Sequence, residues 1–113
     1  MNSHFDPATA REALNQLRTE LLQFLEQSDD DAQTVSLERP IGRLSRMDQM
    51  QQQQMVLEQR RRAQRRLQQV DAALEALDRG DYGLCAECGE PIALARLKAL
   101  PESRICIDCL EER

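Results

Sequence analysis

From Leu44 to Arg79 the chain carries neither glycine nor proline over 36 residues. Within that stretch Ala63, Leu67, Val70, Leu74 and Leu77 recur at spacings of 4, 3, 4 and 3, the period of a helix whose apolar stripe meets another helix. Val56 extends the stripe backwards across Arg60, and Leu44, Met47 and Met50 give a looser apolar face at its start. A helix of this length would be roughly 54 Å long, and its seam needs a partner. An earlier segment supplies one. Asp6-Pro7 reads as N-cap and first helical residue, and Ala10, Leu14, Leu17, Leu21 and Phe24 repeat the same 4-3 spacing, widened by Leu22 and Leu25.

These patterns predict a mainly α chain: an antiparallel two-helix coiled-coil hairpin over 1–79, followed by a small unit over 80–113. The helices are expected at about 7–27 and about 44–79, joined by a loop or tip over about 28–43. Ser28-Asp29-Asp30-Asp31 reads as a solvated linker or helix end, and Pro40 and Gly42 punctuate the connection further. A parallel dimer of the long helix is the runner-up. Composition agrees, because Ala, Glu, Lys, Leu and Arg make up 54 of the 113 residues, a share typical of long helices. With only Phe5, Phe24 and Tyr82 as aromatics, a thick globular core and an all-β sandwich are excluded.

Gly80 is the expected stop of the second helix, and every cysteine lies beyond it. Cys85-Ala-Glu-Cys88 and Cys106-Ile-Asp-Cys109 are separated by 17 residues, within the range of a zinc site. A two-residue spacer lets one tight knuckle offer two thiolates to one ion, and a second knuckle completes the tetrahedron. Four thiolates leave no open position, so one structural Zn²⁺ is expected. A unit this small, with few large apolar residues, needs such a staple. A redox dithiol pair is the weaker reading, since the βαβ setting of a thioredoxin-like site is absent.

The formal charge of −5 disfavours general nucleic-acid binding, which rests on neutralising phosphates. Arg60, Arg61, Arg62, Arg65 and Arg66 spread around the helix, with Glu58 one turn ahead of Arg62, and read as a solvated face. No apolar run is long enough to span a bilayer. The N-terminus lacks signal-peptide character, so the expected location is cytoplasmic. His4, the single histidine, has no partners that would make it catalytic. Nothing in the sequence points to an enzyme.

The run Gly80-Asp81-Tyr82-Gly83-Leu84-Cys85-Ala-Glu-Cys88-Gly89, continued by Ile92, Arg96-Leu97, Ala99, Pro101 and the second knuckle, closely resembles the DksA/TraR family of bacterial C4 zinc-finger transcription regulators. The detailed match covers about residues 78–110. The resemblance implies a protein that binds RNA polymerase rather than a DNA sequence, inserting its hairpin into the secondary channel so that the tip approaches the catalytic centre and modulates initiation. It also implies partner contacts at the tip residues Arg43, Leu44, Ser45, Arg46, Met47 and Asp48, and at Tyr82 and Arg96 of the head.

Two departures from the family pattern stand out. Many members carry a DxxDxA motif at the tip. Counting back from the first cysteine places GRLSRMD there, beginning at Gly42, so both carboxylates are missing. Members that respond to ppGpp place basic residues near the base of the finger, where this chain has Gln69, Leu100 and Leu110. A polyphosphate needs several cations, which argues against direct ppGpp sensing. The chain ends four residues past Cys109, so the family's terminal helix is expected to be short or absent. A monomer is expected. The alternatives are a zinc-stapled protein or nucleic-acid adaptor and a thiol redox or metal sensor.

Overall fold

The computed structural model describes residues 6–35 and 43–112, with side chains described over 6–29 and 46–112. Four helices follow in order: α1 (Pro7–Val35), α2 (Arg43–Arg79), α3 (Leu94–Ala99) and α4 (Ile107–Glu111). The long pair α1 and α2 gives an elongated molecule of 62 × 30 × 19 Å.

Asp6 caps α1. Its carboxylate accepts from the Ala8 amide at 3.1 Å and from the Thr9 hydroxyl at 2.9 Å, satisfying groups that an uncapped first turn leaves open. The helix continues to Val35, two turns beyond the end expected near Gln27. Nothing in the acidic cluster forbids this, because an aspartate costs a helix only about 0.6 kcal/mol and no proline intervenes before Pro40. Ser28 also points inward and is buried. Of the expected 28–43 connection, 36–42 lies outside the described residues, as do the side chains of Arg43, Leu44 and Ser45 and the whole of His4.

Contacts between the long helices run in opposite directions. Arg11 pairs with Asp78 at 2.7 Å, Arg18 with Asp71 at 2.8 Å, and Arg60 reaches Ser28, which defines an antiparallel hairpin. The first two pairs are exposed and add little stability. The core is a seam of Leu14, Leu21, Ala63, Val70 and Ala73, flanked by Leu17, Phe24, Leu25, Leu67, Leu74 and Leu77. The 4-3 positions read from the sequence are thus those that pack. Ala73 and Ala76 are fully buried as well, and such small side chains let neighbouring backbone approach closely.

The seam is one-sided along its length. Among the described residues of α2, none ahead of Ala63 is buried. There the inner face is formed by the half-buried Gln49, Gln53, Val56 and Arg60, which bury little apolar surface. Met47 and Met50, the looser apolar face at the start of the stripe, are 59% and 64% exposed. Helical phase explains this exposure: at ~100° per residue Met47 lies opposite Val56, and Met50 is turned about 80–120° away from Val56 and Arg60.

Gly80 ends α2 with φ 81°, a left-handed conformation that glycine adopts without a Cβ penalty. The Gly80 amide bonds the Leu77 carbonyl at 3.2 Å and the Asp81 amide bonds that of Ala76 at 2.8 Å, the two bonds of a Schellman stop. The chain then folds into a small head in which Cys85, Ile92 and Leu97 form a second cluster. Tyr82 packs against both clusters. Among the described residues the only extended pairing is a single antiparallel bridge between Leu84 and Pro91.

Candidate metal centre

The first knuckle closes locally. The Gly89 amide bonds the Cys85 carbonyl at 3.0 Å and the Cys85 amide bonds the Glu90 carbonyl at 2.8 Å. Gly89 takes φ 78°, which completes the turn and folds Cys88 back toward Cys85. The second knuckle is the start of α4. Cys106 is its N-cap, and its sulfur accepts from the Cys109 amide at 3.5 Å. A hydrogen bond from the Ala86 amide to the Arg104 carbonyl at 2.8 Å joins the two knuckles.

The four sulfurs of Cys85, Cys88, Cys106 and Cys109 lie within 4.8 Å of one another. Cys88 Sγ and Cys106 Sγ are 3.8 Å apart. That is far beyond a disulfide bond of about 2.05 Å, and it matches the edge, about 3.8 Å, of a tetrahedron with Zn–S of about 2.3 Å. Amide groups aimed at sulfur favour thiolates. The amides of Cys106 and Glu87 reach Cys85 Sγ at 3.4 Å each, and with the Cys88 amide they hold the Cys85 thiol down to about 6. The Cys109 thiol is pushed up by the sulfurs of Cys106 and Cys88 crowding it, an opposition that a divalent cation among them removes. The donor set therefore fits one Zn²⁺ held by four thiolates, a structural site with no position for substrate.

The head is fixed to the hairpin by polar links. Arg66 Nε bonds Glu102 Oε2 at 2.7 Å, and the Glu102 side chain is only 7% exposed. Arg104 reaches the Ala72 carbonyl at 3.4 Å, and within the head the Tyr82 hydroxyl donates to the Pro101 carbonyl at 2.7 Å. Burial, with the Glu102 carboxylate nearby, raises the Tyr82 phenol to about 12.

Of the residues singled out for partner contact, Tyr82 and Arg96 lie in the head, each with an internal partner: Pro101 for Tyr82 and the Ile105 carbonyl, at 3.2 Å, for Arg96. Arg46, Met47 and Asp48 are exposed near the far end of α2, roughly 48 Å of helix away. Gln69, Leu100 and Leu110 meet in one hollow of about 220 Å³, with Arg96, Glu102 and Arg104 around it. Both arginines there are engaged with backbone carbonyls.

Two arginines do not belong to the solvated face on which the sequence reading placed them. Arg61 and Arg62 do, sharing Glu58 at 2.9 and 3.3 Å. Arg60 turns inward, with its side chain 18% exposed. It donates to the Leu25 carbonyl and to the Ser28 hydroxyl, the latter at 2.7 Å. Arg66 holds Glu102. The signal for Arg60 was its place in the 4-3 series between Val56 and Ala63. Arg66 had none, because Glu102 is 36 residues away in sequence.

A family model described as the prokaryotic dksA/traR C4-type zinc finger matches residues 80–113. The structure resembles that of the transcription factor DksA2 from Pseudomonas aeruginosa, with a TM-score of 0.76 and 35% identity, covering 94% of this chain and 81% of that one. The RNA polymerase-binding transcription factor DksA of Escherichia coli is 30% identical over 95 residues, 84% of this chain and 60% of that relative. The protein of the same name from Haemophilus influenzae is 42% identical over 53 residues, 47% of this chain and 37% of the relative. The chain thus spans less than two thirds of the length of these curated relatives. They are named as transcription factors, not as enzymes.

Proposed function

As the chain belongs to the DksA/TraR family of C4 zinc-finger proteins, we propose that it is a bacterial transcription regulator that binds RNA polymerase directly and reads no DNA sequence. In this reading the hairpin enters the polymerase secondary channel and modulates initiation. The observation that carries the proposal is the likeness to DksA2, which extends over hairpin and finger together at 94% of the chain. A finger alone is compatible with many roles, whereas a finger at the base of a long hairpin is a shape suited to reaching into a channel.

The chemistry of the surface agrees. A net charge of −5 is poorly suited to a polyanion and acceptable for a protein partner. The tip presents Arg46, Met47 and Asp48 to solvent, and Arg43, Leu44 and Ser45 complete the proposed contact segment by sequence. Tyr82 and Arg96 act in the head by holding its shape as well as by any contact they make. The hollow containing Gln69, Leu100 and Leu110 offers a polyphosphate Arg96 and Arg104, each also bonded to a backbone carbonyl, with the Glu102 carboxylate beside them, which supports a regulator that works without direct ppGpp binding. It acts as a cytoplasmic monomer, and no described helix is long and apolar enough to cross a membrane.

The test is transcription by purified polymerase with and without the zinc-loaded protein, in the presence and absence of ppGpp. We expect altered initiation that ppGpp does not change and that charge reversal at Arg43 and Arg46 diminishes. Initiation indifferent to the protein, together with no co-purification with core polymerase, would overturn the proposal.

A further inference from the structure

Three of the chain's four methionines, Met47, Met50 and Met55, lie on the tip half of α2 at 59, 64 and 61% exposure. Their positions fall within roughly 140° of helical arc at ~100° per residue, and with Gln51 and Gln54 they line one shallow apolar groove of about 540 Å³. Among the described residues, none of the three belongs to the hairpin's apolar clusters. The inner face at this level is Gln49, Gln53, Val56 and Arg60. A thioether is polarizable and adaptable, and an exposed one is also the group that two-electron oxidants convert to sulfoxide.

We propose that Met47, Met50 and Met55 form a reversible oxidation site that switches the tip half of α2 from apolar to polar. The oxidant is of the hypohalous-acid class. A sulfur lone pair attacks the halogen of hypochlorous acid, and water then supplies oxygen to sulfur. The net products are one sulfoxide, one chloride and one proton, with sulfur oxidised and chlorine reduced by two electrons. Return requires a thiol-dependent sulfoxide reductase, which removes the oxygen as water while two thiols become a disulfide.

Two features favour these sulfurs over those of the head. The cysteine sulfurs are gathered around one metal position, with Cys85 buried, whereas the three thioethers stand in solvent. Because no methionine among the three contributes to the core, sulfoxidation leaves the hairpin folded and changes only what its surface offers. A sulfoxide is polar, so a face that gains affinity by covering thioethers loses it on oxidation. The consequence for polymerase binding rests on the function proposed above. Losing the burial of one methionine corresponds to about a tenfold change in affinity.

The test treats full-length, zinc-loaded protein with hypochlorite. It follows oxygen incorporation by intact mass and peptide mapping, zinc release by a chelating dye, helicity by circular dichroism, and surface character by hydrophobic-interaction chromatography. We expect oxygen at Met47, Met50 and Met55 before zinc is released, unchanged helicity, earlier elution, and full reversal by methionine sulfoxide reductases. Binding to core polymerase should weaken about tenfold or more, and the M47L/M50L/M55L variant, compared with its own untreated form, should resist the treatment. Zinc release ahead of methionine oxidation would overturn the proposal. So would unchanged elution after three oxygens are added, or a leucine variant as sensitive as the native chain. If untreated protein binds no polymerase, that failure belongs to the proposed function, and the mass map and elution still decide the oxidation site.

Discussion

Arg60→Ala should destabilise the hairpin by about 2–3 kcal/mol. The guanidinium donates to the Leu25 carbonyl and to the Ser28 hydroxyl, and hydrogen bonds to a charged group contribute about 1.5–3 kcal/mol. The two bonds share one side chain, so they do not add in full. Truncation also leaves the buried Ser28 hydroxyl with only its long 3.4 Å bond to the Leu25 carbonyl. The third contact, to Asp29 at 3.9 Å, is too long and exposed to matter. For a chain of this size the loss corresponds to about 8–12 °C in midpoint. Thermal and urea unfolding of zinc-loaded protein, followed by helical circular dichroism, measures it. Arg60→Leu with Ser28→Ala is the control, because replacing both partners by apolar groups is often neutral or stabilising. A midpoint for Arg60→Ala within about 2 °C of the native chain, or a double variant as unstable as the single, would refute the assignment, since 1 kcal/mol shifts this midpoint by about 4 °C.

Three further outcomes are expected. Cys106→Ser should abolish tight binding of the single zinc ion and unfold the head while leaving most helical signal in place; zinc analysis and circular dichroism check both halves. Tyr82 is the only tyrosine and no tryptophan is present, so phenolate absorbance reports it alone. Its folded value of about 12 against the usual 10.0 means the buried neutral phenol contributes its full stability below pH 10, and that contribution is lost as pH rises toward 12. A folded-state midpoint near 10 would contradict this. Arg66→Ala should destabilise by about 3 kcal/mol, because it leaves the Glu102 carboxylate buried without its cation, and Glu102→Leu added to it should recover most of the loss in urea unfolding.

The hairpin was legible because its seam is periodic, and period alone placed Leu14, Leu21, Val70 and their neighbours. The four cysteines were legible because knuckle spacing is set by the size of the ion they surround. The face carrying Met47 and Met50 is apolar yet turned out of the seam, because the inner positions at that level hold Gln49, Gln53 and Arg60. The end of α1 was set too early because a cluster of aspartates reads as a break, although the inward Ser28 and Arg60 contact keeps α1 helical through it. The Arg66–Glu102 link had no local signature, because only the folding of the head brings position 102 back to α2.

Tyr82 sits in both hydrophobic clusters and so acts as the joint between a short head and a long arm. The arm extends roughly 48 Å from that joint to Met47. A tilt of about 5° there displaces the far end of α2 by about 4 Å, more than the length of a hydrogen bond. The packing around one phenol ring, braced by the Pro101 carbonyl and by the Arg66–Glu102 pair, therefore sets how finely the distant end of the rod is aimed.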